Sequence, residues 1–320
     1  MIEVKNLIKQ YGDHFAVDNI SFKIEKGHIY GFLGPNGAGK STTMNIMTGY
    51  LAASYGDVII NGHNILDEPE EAKKAIGYLP EQPPLYMDMT VKEYLKVAAN
   101  LKKVPRAERA GQIIKVMQMT KIENMKDRVI RNLSKGYKQR VGLAQAIIGF
   151  PETIILDEPT VGLDPKQVIE FRKLIKDLAN EHTIILSSHI LSEVSEVCDH
   201  LMIINNGKLV ANGTPEELSQ QANERHILSI TVKGAKKEID AVMKATLPKA
   251  QYSVYESAES GCLDLEVKLE KKENPREQLF YAFAEARLPI TAMNSEVKSL
   301  EDVFLSLTGI GLKERKGLKA

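Results

Sequence analysis

Eight consecutive residues decide the fold of this chain: Gly34-Pro35-Asn36-Gly37-Ala38-Gly39-Lys40-Ser41. They fit the pattern G-x-x-x-x-G-K-[ST], whose glycines let the backbone curl so that successive N–H groups point inward at an anion. Lys40 adds a cation, Ser41 adds a hydroxyl that can bind Mg²⁺, and Thr42 follows as a further phosphate contact. The stretch therefore predicts a loop that binds the phosphates of a nucleotide.

The flanking sequence supports this interpretation. Ile29–Leu33 has the composition of a short buried strand, and residues 41–47 have that of a helix. A strand, a glycine-rich loop and a helix, in that order, are what a phosphate-binding loop requires, because the positive end of the helix then faces the anion. A glycine-rich turn that matches by chance would have neither neighbour.

Composition limits the kind of protein. The 320 residues are enough for two domains, and 43% hydrophobic with 26% charged residues is a soluble globular mixture. Lysine plus arginine equals aspartate plus glutamate at 42 each, so no net charge favours nucleic acid.

The cysteines, Cys198 and Cys262, indicate reduced thiols in a cytoplasmic protein. No apolar run approaches the roughly twenty residues that cross a bilayer, so we expect any membrane role to come through a partner.

Residues 1–223 predict an α/β domain built as a P-loop nucleoside triphosphatase. Buried strands alternate with helical stretches, which indicates a mainly parallel sheet, and the strands lie at Ile29–Leu33, Thr153–Asp157, Thr183–Ser187 and Leu201–Asn205. The first residues alternate with period two, as in an antiparallel β layer. Residues from about 89 to 133 predict a helical subdomain, whose first helix opens with the capping box Thr90–Glu93 and whose second runs from about Arg106.

Residues 224–310 predict a second, smaller α+β domain. Its strands and helices follow the order βαββαβ, which is typical of ferredoxin-like folds, with helices over 236–246 and 275–287. We predict a linker at 220–224, and residues 311–320 form a basic tail. No catalytic constellation is visible in this domain, and Asp264 and Glu266 lie on the solvated face of an alternating strand.

Two acids follow the strand at Thr153. Asp157 would hold Mg²⁺ through water at the carboxyl edge of the sheet, where loops meet a ligand. Glu158 is the candidate general base that polarises an attacking water. The structural alternative is that Asp157 and Glu158 only cap the loop after the strand and take no part in catalysis.

Several ordered motifs resemble those of the ATPase subunit of ABC transporters, over residues 1 to about 220. Residues 133–140, LSKGYKQR, are similar to the signature segment of that family, and Gly162-Leu163-Asp164 is similar to the loop after the acidic strand. His189 is similar to the switch histidine that contacts the γ-phosphate. Tyr11 is similar to the aromatic residue that stacks on adenine, although a surface tyrosine or a merely hydrogen-bonded histidine would also fit these positions.

The resemblance implies a shared active site. Two ATPase units, either two copies of this chain or this chain and a relative, would pair head to tail with each ATP between the phosphate loop of one and the signature segment of the other. Ser134, Lys135 and the Gly136 N–H would then contact the γ-phosphate at a helix start, with Asp164 nearby. Hydrolysis would remove that bridge and open the dimer. The structural alternative for this segment is an ordinary helix start capped by Asn132 or Ser134. It is compatible with phosphate binding, because the start of a helix is what binds the anion.

This chain departs from the family pattern at three positions. Lys135 replaces the first signature glycine, and Tyr137 replaces the signature glutamine. Glu81 aligns with the usual Mg²⁺-sensing glutamine, although the adjacent Gln82 could be the sensor instead. A carboxylate at this position could bind Mg²⁺ directly.

Further features resemble ATPases that drive ABC-2 type exporters, namely residues 77–81, the lysine in the signature segment and the ending at 300–309. In such systems the permease is a separate polypeptide, which implies a peripheral location at the inner face of the membrane. A groove beside Glu81 would receive the permease, with contacts at Tyr86, Met87, Met89 and Tyr94. The structural alternative is that half of these four residues belong to the core.

Two other functions compete with a transport ATPase. A soluble ABC ATPase acting on ribosomes or DNA is disfavoured, because the chain has one phosphate loop, no sustained heptads and no net charge. The second alternative, an ATP-gated clamp that acts on a membrane protein, is compatible with the same motifs. A GTPase or kinase would leave Ser134 and His189 without a role.

Overall fold

A computed structural model describes residues 1–222, 225–270, 275–296 and 299–309 of the chain. Contacts divide it into two units. The first contains residues 1–215 and 307–309, and the second contains residues 216–306. The predicted basic tail, 311–320, lies outside the described residues, as do positions 223 and 224 of the predicted linker.

The first unit alternates strands and helices after an initial hairpin. Its elements are β1 (Ile2–Tyr11), β2 (His14–Ile24), β3 (Ile29–Leu33), α1 (Lys40–Met47), β4 (Tyr55–Ile60), β5 (His63–Asn64), α2 (Pro69–Lys74), β6 (Ile76–Leu79), α3 (Val91–Leu101), α4 (Arg109–Met119), α5 (Lys135–Ile147), β7 (Thr153–Leu156), α6 (Pro165–Leu178), β8 (Thr183–Ser188), α7 (Leu191–Ser195), β9 (His200–Asn205) and β10 (Lys208–Gly213).

Two sheets build this unit. The antiparallel sheet has the order β2-β1-β4-β5, and its β1 pairs Val4 with Phe22 on one side and with Val58 on the other. The second sheet has the order β10-β9-β3-β8-β7-β6, and its five strands from β9 to β6 run parallel. The inward faces of both sheets share one apolar core. This confirms the predicted α/β class and places the ends of β3, β7 and β8 at one edge.

The helical part of the first unit starts as predicted. Thr90 and Glu93 form a complete capping box at the start of α3. The next helix, α4, begins at Arg109 rather than at Arg106, because the carbonyl of Pro105 accepts the N–H groups of Glu108 and Arg109 in a turn that precedes the helix.

The second unit is an antiparallel sheet with helices packed on one face. Its elements are α8 (Pro215–Ala222), β11 (Arg225–Lys233), α9 (Lys236–Thr246), β12 (Gln251–Glu256), β13 (Cys262–Glu270), α10 (Arg276–Glu285), β14 (Ile290–Glu296) and α11 (Leu300–Thr308). The strand order β12-β13-β11-β14, with α9 and α10 as the connecting helices, is ferredoxin-like.

The prediction of a linker over 220–224 is wrong for its first three residues. Helix α8 continues to Ala222, because two glutamines and an alanine are good helix formers that extend the turn begun at Pro215. Across the described ranges, no helix is both long enough and apolar enough to cross a membrane.

Candidate active site

The phosphate-binding loop lies between β3 and α1, in the predicted order of strand, loop and helix. Gly39 precedes the helix with a φ of 109°, and a Cβ at this position would collide with the carbonyl oxygen of Ala16. A Cβ at Gly34 would collide with the carbonyl oxygen of Ile204. Both positions therefore require glycine, because the loop passes directly against neighbouring backbone.

Lys40 is a buried cation, with 5% of its surface exposed. Its Nζ donates to the carbonyl oxygens of Gly34 at 2.8 Å and Pro35 at 3.2 Å, and lies 3.3 Å from Glu158 Oε1. The loop carbonyls and the carboxylate thus hold the ammonium group inside the curl of the loop.

Asp157, directly after β7, is hydrogen-bonded by two serines. Ser41 Oγ donates to its Oδ1 at 3.2 Å, and Ser187 Oγ donates to the same oxygen at 2.5 Å. Ser187 also accepts the N–H of Glu158 at 2.9 Å. One hydroxyl therefore fixes both acids relative to β8. This role of Ser187 was not predicted, and its position beside Ser188-His189 was the only signal of it in the sequence.

Glu158 has a left-handed backbone, with a φ of 46°, and its carboxylate has partners different from those of Asp157. Such a conformation costs on the order of 1 kcal/mol for a residue with a Cβ. The buried carboxylate lies between two partners, since Oε1 faces Lys40 and Oε2 lies 2.9 Å from His189 Nδ1. The candidate base, cation and histidine are thus connected.

Lys40, Glu158 and His189 surround one cavity of about 350 Å³, whereas Asp157 lines a neighbouring groove. The cavity is lined by Ala16, Asn36, Gly37, Gly39, Lys40, Ser41, Thr42, Glu81, Glu158, Val161 and His189. Glu81 therefore faces the cavity, whereas Gln82 lines only the neighbouring groove. Tyr11 is not among the lining residues. It is 51% exposed, with Lys9 Nζ 5.1 Å from the centre of its ring, and its role as an adenine contact stays a prediction.

The signature segment lies at a second cavity of about 590 Å³, which the phosphate loop does not line. Ser134 caps α5 by accepting the Tyr137 N–H at 3.4 Å. Asp164 caps α6 by accepting the Gln167 N–H at 2.9 Å, and the Gln167 side chain occupies the space that a Cβ on Gly136 would need. Lys135 is exposed, and its ammonium lies against Gly162. The chain thus carries two separate groups of predicted site residues.

A groove of about 820 Å³ adjoins the first cavity beside Glu81. Tyr50, which is 83% exposed, lines it, whereas Tyr86 and Met87 are exposed but are not among its lining residues. The predicted contact residue Tyr94 is instead buried. Its hydroxyl bonds Gln145 and the carbonyl of Pro84, and burial raises its pKa to about 12.

Comparison with known proteins places these features in one family. The family model described as "ABC transporter" matches residues 17–161. The uncharacterized ABC transporter ATP-binding protein YhcH of Bacillus subtilis is 34% identical over 311 residues, which are 97% of this chain and 96% of the relative. The bacitracin transport ATP-binding protein BcrA of Bacillus licheniformis is 32% identical over 97% of this chain and 98% of its own length.

A solved structure agrees with the sequence relatives. The ATP-binding cassette MJ0796, described as a dimer in a post-hydrolysis state bound to ADP and phosphate, matches 67% of this chain and 98% of its own length, with a TM-score of 0.61 and 25% identity. A relative above 30% identity that covers nearly the whole chain leaves no ambiguity. This chain belongs to the family of ATP-binding subunits of ABC transporters.

Proposed function

We propose that this ATPase hydrolyses ATP with Lys40, Asp157, Glu158 and His189, at the interface of a head-to-tail dimer, to power a separate export permease. One observation carries the proposal. Lys40, Glu158 and His189 line one cavity, and Asp157 bonds Ser41 at its wall. Ser134 and Gly136 line another cavity, so a single chain holds two unlike half-sites.

The first cavity has the chemistry of a site for magnesium and a nucleotide. Inward N–H groups of the loop and the Lys40 ammonium favour phosphate oxygens. Ser41 and Asp157 offer two oxygens 3.2 Å apart, which suits a hard cation. Water and the nucleotide would supply further ligands to a bound Mg²⁺. Glu81 is the further candidate ligand, because it faces this cavity.

Glu158 is the best-placed group to activate water. The buried carboxylate lies between Lys40, 3.3 Å from one oxygen, and His189, 2.9 Å from the other. Phosphate oxygens that take over Lys40 would leave this carboxylate free to accept a proton from water, while His189 contacts the γ-phosphate. One carboxylate therefore binds a metal and the other acts as a base.

The second cavity offers a second anion-binding group, the start of helix α5. Ser134 and Gly136 lie at the start of the 13-residue helix α5, where N–H groups and the helix dipole favour an anion. The dimeric state of the MJ0796 cassette supports pairing of two such units. We infer that this end of α5 contacts the γ-phosphate bound by the partner, with Lys135 and Asp164 beside it.

The groove beside Glu81 is the candidate permease contact. The exposed Tyr50 lines it, and BcrA, which aligns over nearly its whole length, is described as a transport protein. Tyr86 and Met87, which are exposed and close in sequence to the lining residue Pro84, are further candidate contacts. We propose that the subunit binds a permease here, at the cytoplasmic face of the membrane. Glu81 connects this groove with the nucleotide cavity, because it lines both.

The test is Glu158→Gln in the full chain. Loss of the base should reduce phosphate release by roughly 10²- to 10⁴-fold, while ATP affinity is retained and Mg-ATP now traps a dimer in size-exclusion chromatography. Glu152→Gln, at the opposite end of β7, is the matched control and should hydrolyse ATP normally. Undiminished turnover would refute the role of Glu158, and a variant that stays monomeric with Mg-ATP and permease would refute the shared site.

A further inference from the structure

Glu193 joins two loops that flank the nucleotide cavity. It lies on α7, and its Oε2 accepts hydrogen bonds from Thr160 Oγ1 at 2.7 Å and from Ser188 Oγ at 3.2 Å. The Ser188 hydroxyl in turn accepts the N–H of Ile190 at 3.0 Å. One carboxylate oxygen is therefore the centre of a network that includes both side chains and backbone.

The two hydroxyl donors are next to the catalytic candidates in sequence. Thr160 is two residues after Glu158, and Ser188 directly precedes His189. Both are buried, Ser188 as the last residue of β8 and Thr160 in the loop that follows the adjacent parallel strand β7. The Glu193 bridge thus spans the same two loops that the contact between Glu158 and His189 spans.

The chemistry favours a carboxylate at this position. An ionised acceptor makes shorter and stronger bonds than a neutral one, and its oxygen can accept two hydroxyls at once. Removal of the carboxylate would leave two buried hydroxyls without an acceptor for their protons, and the loops would shift to satisfy them. A glutamine would preserve the bridge, because its carbonyl oxygen also has two lone pairs.

We propose that Glu193 is a positioning residue for ATP hydrolysis, which holds the loop of Glu158 and the loop of His189 at their catalytic separation. It does not line the nucleotide cavity and acts only through Thr160 and Ser188. This inference rests on the proposed roles of Glu158 and His189. A displacement of about 1 Å at a reacting group can reduce turnover by roughly 10²-fold, so a bridge outside the cavity can control the rate.

The experiment compares Glu193→Ala and Glu193→Gln in the full chain. We expect Glu193→Ala to reduce kcat by roughly 10- to 100-fold with the KM and binding affinity for ATP unchanged, because the phosphate loop is untouched. Glu193→Gln should recover kcat to within about threefold of the wild type, because it retains the acceptor. Ser192→Ala, an exposed position on the same helix, is the control for a general disturbance of α7 and should behave as wild type.

A double-mutant cycle tests the route of the effect. Thr160→Val removes one donor, so its loss in kcat and that of Glu193→Ala should not add. In a His189→Ala background, Glu193→Ala should cause little further loss. If Glu193→Ala unfolds at the assay temperature, Thr160→Val and Ser188→Ala provide the same measurement from the donor side.

The outcomes separate this inference from the proposed function. Wild-type kcat in Glu193→Ala, fully additive losses, or a parallel loss of ATP affinity would overturn the positioning role. If Glu158→Gln is inactive while Glu193→Ala is normal, only this inference fails. If Glu158→Gln still hydrolyses ATP, the proposed function fails first.

Discussion

The two units of the chain treat buried charge in opposite ways. In the first unit, each buried lysine, arginine, aspartate or glutamate side chain lines a cavity or the groove. Lys40 and Glu158 line the first cavity, Arg140 lines the second, and Asp157 lines the groove. The core of the second unit instead consists of apolar side chains, among them Leu228, Ile230, Leu265 and Phe283. None of the buried residues that the structure describes in that unit is charged.

The difference shows that the first unit buries charged side chains, which costs stability, at its candidate site. Burial of a charge is costly unless partners compensate it, so the first unit surrounds its buried charges with carbonyls, hydroxyls and opposite charges. The charges of the second unit, such as Glu266, stay on the solvated face of its sheet. Buried charge therefore marks the candidate site, and three experiments test that rule.

The largest effect should come from Phe283→Ala in the second unit. Phe283 is fully buried between the helices and the sheet, so its truncation should destabilise that unit by about 3–5 kcal/mol and leave the first unit folded. The chain has one cysteine in each unit, and burial raises the pKa of both thiols, so both should react slowly with a thiol reagent in the native protein. In the variant, Cys262 should become reactive while Cys198 stays protected.

Phe280→Ala is the matched control, since this phenylalanine lies on the same helix with its ring exposed. It should leave both thiols protected. Equal exposure of Cys198 and Cys262 in Phe283→Ala would show that the units unfold together, and the comparison between them would then lose its basis.

A smaller effect is expected from Lys40→Ala in the first unit. Loss of a buried ammonium that binds phosphate should reduce ATP affinity by roughly 10- to 100-fold, because a hydrogen bond to a charged group contributes about 1.5–3 kcal/mol. Titration with a fluorescent ATP analogue measures this change. Lys74→Ala, on the exposed helix α2, should bind ATP as the wild type does, and unchanged affinity in Lys40→Ala would refute the phosphate loop.

The smallest effect should come from Glu266→Gln. This exposed carboxylate lies on the open face of β13, opposite Ser229 and Ser253, so we expect ATP turnover to change by less than about twofold and the free energy of unfolding by less than about 0.5 kcal/mol. Phosphate release and thermal melting measure the two quantities. A large loss of turnover would show that a solvated charge of the second unit takes part in the ATPase cycle.

Sequence patterns predicted the elements well where the signal is local. The strand Ile29–Leu33, the helix Lys236–Thr246 and the capping box at Thr90 have the predicted bounds, because periodicity and caps depend on neighbours a few residues away. Boundaries without such a signal shifted, as at Arg109 and Ala222.

Contacts between distant residues were not predictable in the same way. Ser187 bonds Asp157 across 30 positions of the chain, and Glu193 bonds Thr160 across 33. No spacing rule connects such residues, since only the parallel pairing of β7 and β8 brings them together. Tyr94 was a predicted permease contact with a core position as its alternative, and the structure buries it with its hydroxyl bonded to the Pro84 carbonyl.

The amino-acid sequence alone determined the phosphate loop, the two acids after β7 and the α/β class, because each depends on residue types at short fixed spacings. The tertiary structure decided that Glu158 lies between Lys40 and His189, that the signature segment has a cavity of its own, and that Glu81 rather than Gln82 faces the nucleotide cavity. The physical reason is that these relations depend on strand order and on one left-handed backbone at Glu158, which arise only when the sheet is assembled.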